Sequence, residues 1–120
     1  MRSRWADRVA GDAGTVTAEL ATVLPAVVLV LGCCLGAVQV VGQQVRLTDA
    51  AADAARALSR GDTPDQVAAL VASEMRGARL SLQTHGQFVC ARLSADSSFA
   101  AFALAGLRLE SQSCALAGGL

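Results

Sequence analysis

Aromatic rings are scarce in this chain: of 120 residues only 3% are aromatic, with one Trp, three Phe and no Tyr. Compact soluble cores draw much of their buried area from such rings. The 53% of the chain that is hydrophobic is instead built mainly from Ala, Val and Leu. Lysine is missing as well, and ten Arg balance ten Asp plus Glu to leave no net charge. A nucleic-acid binder needs a basic surplus to neutralise phosphates, so this balance argues against that class. The single His, His85, has no Ser or Cys beside it to activate, which gives no catalytic set. There is neither Cys-x-x-Cys spacing nor a His cluster, so no metal or other cofactor is expected. The composition points away from an enzyme.

What the chain does have is one long apolar run. Leu20 to Val41 reads LATVLPAVVLVLGCCLGAVQVV, with no charge and with Gln39 as its only strongly polar side chain. As a helix it spans about 33 Å, enough for a bilayer core of about 30 Å. A buried core helix of that length needs a larger protein around it, and the rest of the chain is too short to supply one. The run is therefore read as a membrane helix. Arg2, Arg4 and Arg8 precede it. Because the topology rule counts basic residues and largely ignores acids, they put the N-terminus in the cytoplasm and the chain after about residue 42 outside the inner membrane. A secretory signal peptide is the competing reading, but the run exceeds the usual apolar region and no small-x-small cleavage site follows it.

The entry to this run carries a distinctive string, Gly14-Thr15-Val16-Thr17-Ala18-Glu19-Leu20-Ala21-Thr22-Val23-Leu24-Pro25. It resembles the class III signal of type IV prepilins, and more closely the TadE-like minor pilins or pseudopilins of tight-adherence pili. In that family a short basic leader ends in Gly, Glu follows as the fifth mature residue, and an apolar run carries Pro at mature position eleven. With Thr15 as mature residue one, Glu19 and Pro25 fall on those positions. Leu20 departs from the Phe or Tyr common there, which weighs against a major pilin more than against a minor one. The resemblance covers about residues 8–62.

That resemblance implies a minor pilin or pseudopilin, a structural component rather than an enzyme. It implies cleavage by a prepilin peptidase between Gly14 and Thr15 and possible methylation of Thr15. The partners it implies are other pilins, the inner-membrane assembly platform and membrane lipid, with no nucleic acid. The protein would sit in the inner membrane as a single pass with its C-terminal domain extracytoplasmic, or on the cell surface after assembly. A carboxylate at a membrane helix end is costly unless paired. Glu19 can pair with the new α-amino group of a neighbour's Thr15, or simply rest among headgroups. Pro25 removes one helical hydrogen bond, either to bend the helix for filament packing or as a proline that membrane helices tolerate. Gly32 and Gly36 form a G-x-x-x-G that permits close helix approach, although such spacing is frequent in Gly- and Ala-rich spans. Val30-Leu31-Gly32-Cys33 partly resembles a lipoprotein signal. An envelope binding protein lipidated at Cys33, or left on an uncleaved anchor, is thus the alternative.

The remaining sequence predicts an α+β fold led by one helix from Ala18 to Arg60, about 43 residues and about 65 Å long. Its organisation reads as a leader over 1–14, a transmembrane and assembly helix over 15–42, a helical region over 43–76 and a small β-rich domain over 77–120. Beyond the membrane, Val45, Ala51, Ala54, Ala55 and Leu58 form the expected apolar stripe, with Asp49, Asp53, Arg56 and Arg60 opposite as a solvated face. Thr63-Pro64-Asp65-Gln66 predicts the start of a short second helix with a capping box, ended by Gly77. Alternation around Leu80 and Leu82, a turn at His85-Gly86, a return over Phe88–Leu93 and a third strand near Leu107–Ala115 predict a three-stranded antiparallel sheet. The apolar segment from Phe99 to Gly106 suits a membrane surface or a filament neighbour. Cys90 and Cys114, on the second and third strands, form a disulfide outside the cytoplasm or remain two buried thiols.

Overall fold

The computed structural model describes residues 4–118, with side chains from Gly14 onward. It has two compact units, one ending at Ala37 and one beginning at Val38. The first unit is helix alone. Helix α1 runs from Arg4 to Ser59, so it starts well before the expected Ala18 and takes in the stretch read as a leader. The last 22 residues of α1, from Val38, belong to the second unit.

Helix α1 ends because Gly61 takes φ +98°, a left-handed conformation that costs glycine little. The Gly61 N–H donates to the Leu58 carbonyl at 3.1 Å and the Asp62 N–H to the Ala57 carbonyl at 3.1 Å. This Schellman pattern satisfies two carbonyls that the helix end would leave open. Helix α2, Pro64–Glu74, follows at once. Thr63 caps it: the Thr63 N–H donates to Gln66 Oε1 at 3.0 Å, and the Gln66 N–H returns to Thr63 Oγ1 at 3.4 Å. Pro64 occupies the first turn, where its missing N–H costs nothing. The capping box read from the sequence is therefore present.

Strands β1 (Arg79–His85), β2 (Phe88–Asp96) and β3 (Arg108–Leu116) form one antiparallel sheet in the order β1-β2-β3. His85 pairs with Phe88 across the two-residue turn Gly86-Gln87. Gly86 has φ +60°, and placing the positive φ at the first central position suits a type II′ hairpin. The β2–β3 connection contains a single short helix, α3, Ala100–Leu104.

The core lies between α1, α2 and the inner face of the sheet. From α1 come Leu47, Ala50, Ala51, Ala54, Ala55 and Ala57, from α2 Val67 and Val71, and from the sheet Ala91, Leu93, Ala95 and Leu109. Of the expected stripe, Ala51, Ala54 and Ala55 lie in this core and Leu58 packs against it, but Val45 does not. Val45 is 55% exposed, whereas Leu47 is fully buried and central. At about 100° per residue, Val45 lies about 200° around the helix from Leu47, on the opposite face. Polar bonds set the axial position of β3 on α1. Gln44 Nε2 donates to the Glu110 carbonyl at 3.0 Å, the Ser111 hydroxyl to Thr48 Oγ1 at 3.2 Å, and the Gly118 N–H to the Ser59 carbonyl at 3.3 Å. Strand β3 thus runs in the same direction as α1.

Candidate functional site

The candidate site is the apolar stretch of α1 with the residues at its entry. Between Leu20 and Val38 every large apolar side chain that is exposed stands 48–69% open, which no soluble core helix would do. The stretch belongs to a helix long and apolar enough to cross a membrane. Gly14, Thr15, Glu19, Leu20, Pro25, Gly32, Cys33 and Cys34 are all exposed on it, and Gly36 is buried. Gly14 lies inside the helix with open space where a Cβ would stand. Glu19 presents its carboxylate to the surroundings, and among the described residues it makes no ion pair.

Two backbone features follow from the local sequence. Pro25 sits in the helix interior and offers no N–H to the Ala21 carbonyl. Close by, the Thr22 hydroxyl donates to the Glu19 carbonyl at 2.8 Å, a local bond that keeps the hydroxyl satisfied in apolar surroundings. Val30 to Cys34 are regular helix, and Cys33 and Cys34 are free thiols.

In the second unit, Cys90 and Cys114 face each other across β2 and β3 and are joined as a disulfide. Along β2, Cys90 is buried together with Ala91, Leu93 and Ala95, whereas Arg92 is exposed. His85 ends β1, with its Nε2 3.4 Å from Gln83 Oε1. An open cleft of about 560 Å³ is lined by Gln39, Gln43, Arg46, Glu74, Arg76 and Ser98. Among the described residues no group of three His, Cys, Asp or Glu is placed to hold a metal. Sequence reading did not find the cleft, because Arg46, the Glu74–Arg76 segment and Ser98 come from three stretches distant in the chain. It also missed Gln43 and Gln44, which look like solvated helix positions until the sheet is placed against them.

These features define an α+β protein led by one long helix that carries an apolar, unpacked stretch from Leu20 to Val38. Over residues 14–56 the chain matches the family of TadE-like proteins, to which it is similar over that stretch. The match begins at Gly14 and takes in Glu19 and Pro25. A protein of Mycobacterium tuberculosis named as an apoptosis inhibitor is 38% identical over 80 residues, which are 67% of this chain and 64% of that relative. The chain thus spans slightly less than two thirds of that relative's length. No solved structure matches it.

Proposed function

We propose that this chain is a minor pilin or pseudopilin of a tight-adherence type IV pilus, cleaved by a prepilin peptidase after Gly14. The observation that carries the reading is Glu19, an exposed carboxylate at the start of an uncharged helical run whose apolar side chains are unpacked, five residues after Gly14. Hydrolysis of the Gly14–Thr15 bond leaves an α-ammonium on Thr15 and removes the basic segment that holds the N-terminus in the cytoplasm. That ammonium is the cation Glu19 of a neighbouring subunit needs in a low-dielectric filament core. Glycine also weakens a helix by about 1 kcal/mol relative to alanine, which favours local opening at the cleaved bond.

On this reading the run anchors the protein in the inner membrane and later packs among other pilins, delivered by an inner-membrane assembly platform. The second unit lies outside the cytoplasm, where the Cys90–Cys114 bond persists. The deciding experiment is mass spectrometry of the mature N-terminus on protein taken from its native envelope. A chain starting at Thr15 is expected. A start at Met1 or Arg2 would refute processing. A lipidated start at Cys33 would replace the pilin reading with a lipoprotein.

A further inference from the structure

The connection between β2 and β3 is unlike the rest of the second unit. From Ser97 to Leu107 it carries no charge, and from Phe99 onward every residue is apolar or glycine. Its base is closed by the Ser97 N–H donating to the Leu107 carbonyl at 3.2 Å and by the Asp96–Arg108 ion pair at 3.2 Å. Within it Phe99 and Phe102 meet edge to face, with ring centroids 5.0 Å apart. The tip is left open: Leu104 is 89% exposed, more than any other large apolar side chain among the described residues, and Leu107 is 41% exposed.

The place of this loop is fixed from both sides. Gln43 Nε2 donates to the Asp96 carbonyl at 2.7 Å, and the Ser98 N–H donates to Gln43 Oε1 at 2.7 Å. Because β3 runs in the direction of α1, the loop leaves the end of the sheet nearest Val38–Val41, where α1 enters this unit, while the Gly86-Gln87 turn occupies the far end. Gln43 is two residues beyond Val41, about 3 Å along the helix from the last apolar residue of the run. A run of about 33 Å fills a bilayer core of about 30 Å, so Gln43 falls in the headgroup zone.

We propose that the Ser97–Leu107 loop docks on the outer surface of the membrane crossed by the Leu20–Val41 run, with Leu104 reaching the boundary between headgroups and acyl chains. This rests on reading that run as a membrane span. An interface of this kind rewards apolar side chains beside cationic ones. Arg46 and Arg76 line the cleft at the loop's base, together with Glu74, whose carboxylate halves their combined charge. Docking is therefore led by apolar burial, with a modest preference for anionic lipid. A lipid boundary suits the loop better than a protein neighbour, since from Phe99 to Leu107 no side chain can donate or accept a hydrogen bond to fix a partner's register. The second contact holds the sheet unit against the membrane before assembly instead of leaving it to swing on one helix.

The test uses the full chain in phosphatidylcholine and phosphatidylglycerol vesicles, with Cys33 and Cys34 replaced by Ala and the Cys90–Cys114 bond kept. A nitroxide is attached in turn to V30C, L104C and Q87C, and its exposure to oxygen, which enters lipid, is compared with that to a water-soluble nickel chelate. The expected result is a deep label at 30, a label at 104 favouring oxygen several-fold over the label at 87, and water at 87. A label at 104 that matches 87 while 30 stays deep overturns docking and leaves the span standing. Shielding of 104 from both reagents means contact between copies and also overturns it. A label at 30 in water removes the span and the docking with it.

Discussion

Replacing Leu47 by Ala is the sharpest test of how the second unit is held together. Leu47 is fully buried and among the largest such side chains, and the neighbours that could move into the space it leaves are mostly Ala. Alanine has no side chain to swing inward, and the α1 backbone and the hydrogen-bonded sheet are stiff. The cost therefore lies within the usual range for leucine truncation, about 3 kcal/mol. A unit of roughly 80 residues has about 4–12 kcal/mol of stability, so this loss removes a large share of it and raises the unfolded fraction about 150-fold. Val45→Ala is the internal control. At 55% exposure, its loss is expected to cost no more than about 0.5 kcal/mol. The assay is urea-dependent pulse proteolysis of the full chain in detergent micelles with the disulfide intact. With a slope near about 1 kcal/mol per molar urea, the Leu47→Ala midpoint should fall by about 3 M and the Val45→Ala midpoint by less than about 0.5 M. Equal shifts, or a larger one for Val45→Ala, would refute the packing face.

Three further outcomes follow from named contacts. Changing Cys90 and Cys114 together to Ser opens a loop with a sequence separation of 24. Loop-closure entropy sets that loss at about 3.5 kcal/mol, and a urea midpoint unchanged from the oxidised wild type would show that the bond contributes nothing. Thr63→Ala removes the acceptor for the Gln66 N–H and should cost about 1 kcal/mol, read as faster hydrogen exchange across α2; unchanged exchange there would discount the cap. Glu19→Ala should leave cleavage after Gly14 intact while excluding the protein from purified filaments, and normal incorporation would remove the pairing role.

Much of this architecture could be read from the sequence because it rests on local signals. The apolar run, the Thr63-Pro64-Asp65-Gln66 start and the Gly86 turn each specify structure through neighbours a few residues apart. The third strand, expected near Leu107–Ala115, falls at Arg108–Leu116. The core face of α1 was harder to read. In a segment rich in Ala, periodicity has little contrast: Ala51, Ala54, Ala55 and Leu58 read correctly, but the exposed Val45 is taken for the start of the stripe while Leu47 is passed over. Gln43 and Gln44 were not legible at all, because a glutamine on a helix reads as solvated until strands far away in sequence bring backbone groups to it. The entry motif at Gly14, Glu19 and Pro25 was legible only through its resemblance to a family. In physical terms it is an exposed carboxylate that makes no ion pair among the described residues.

The choice of side chains along α1 reflects two different surroundings. Along the apolar run, large branched residues such as Val27, Val28 and Leu29 stand exposed, an arrangement that a hydrocarbon surrounding would accept from any direction. Where α1 meets the sheet, Ala50, Ala51, Ala54 and Ala57 bring the backbones close, and sheet residues Ala91 and Ala95 are small to match. A surface this smooth fixes the distance between helix and sheet but offers few ridges to fix their register. Directional bonds must do that. They lie at the two ends of the contact, with Gln43, Gln44 and Thr48 holding one end and the Ser59 carbonyl the other. Each is exposed and individually weak, yet together they prevent sliding along the helix axis that the alanine stripe alone would permit. The level of the Ser97–Leu107 loop along the second unit's part of α1 depends on these bonds, so Gln43 and Gln44 at the start of the contact set where that loop stands on the helix.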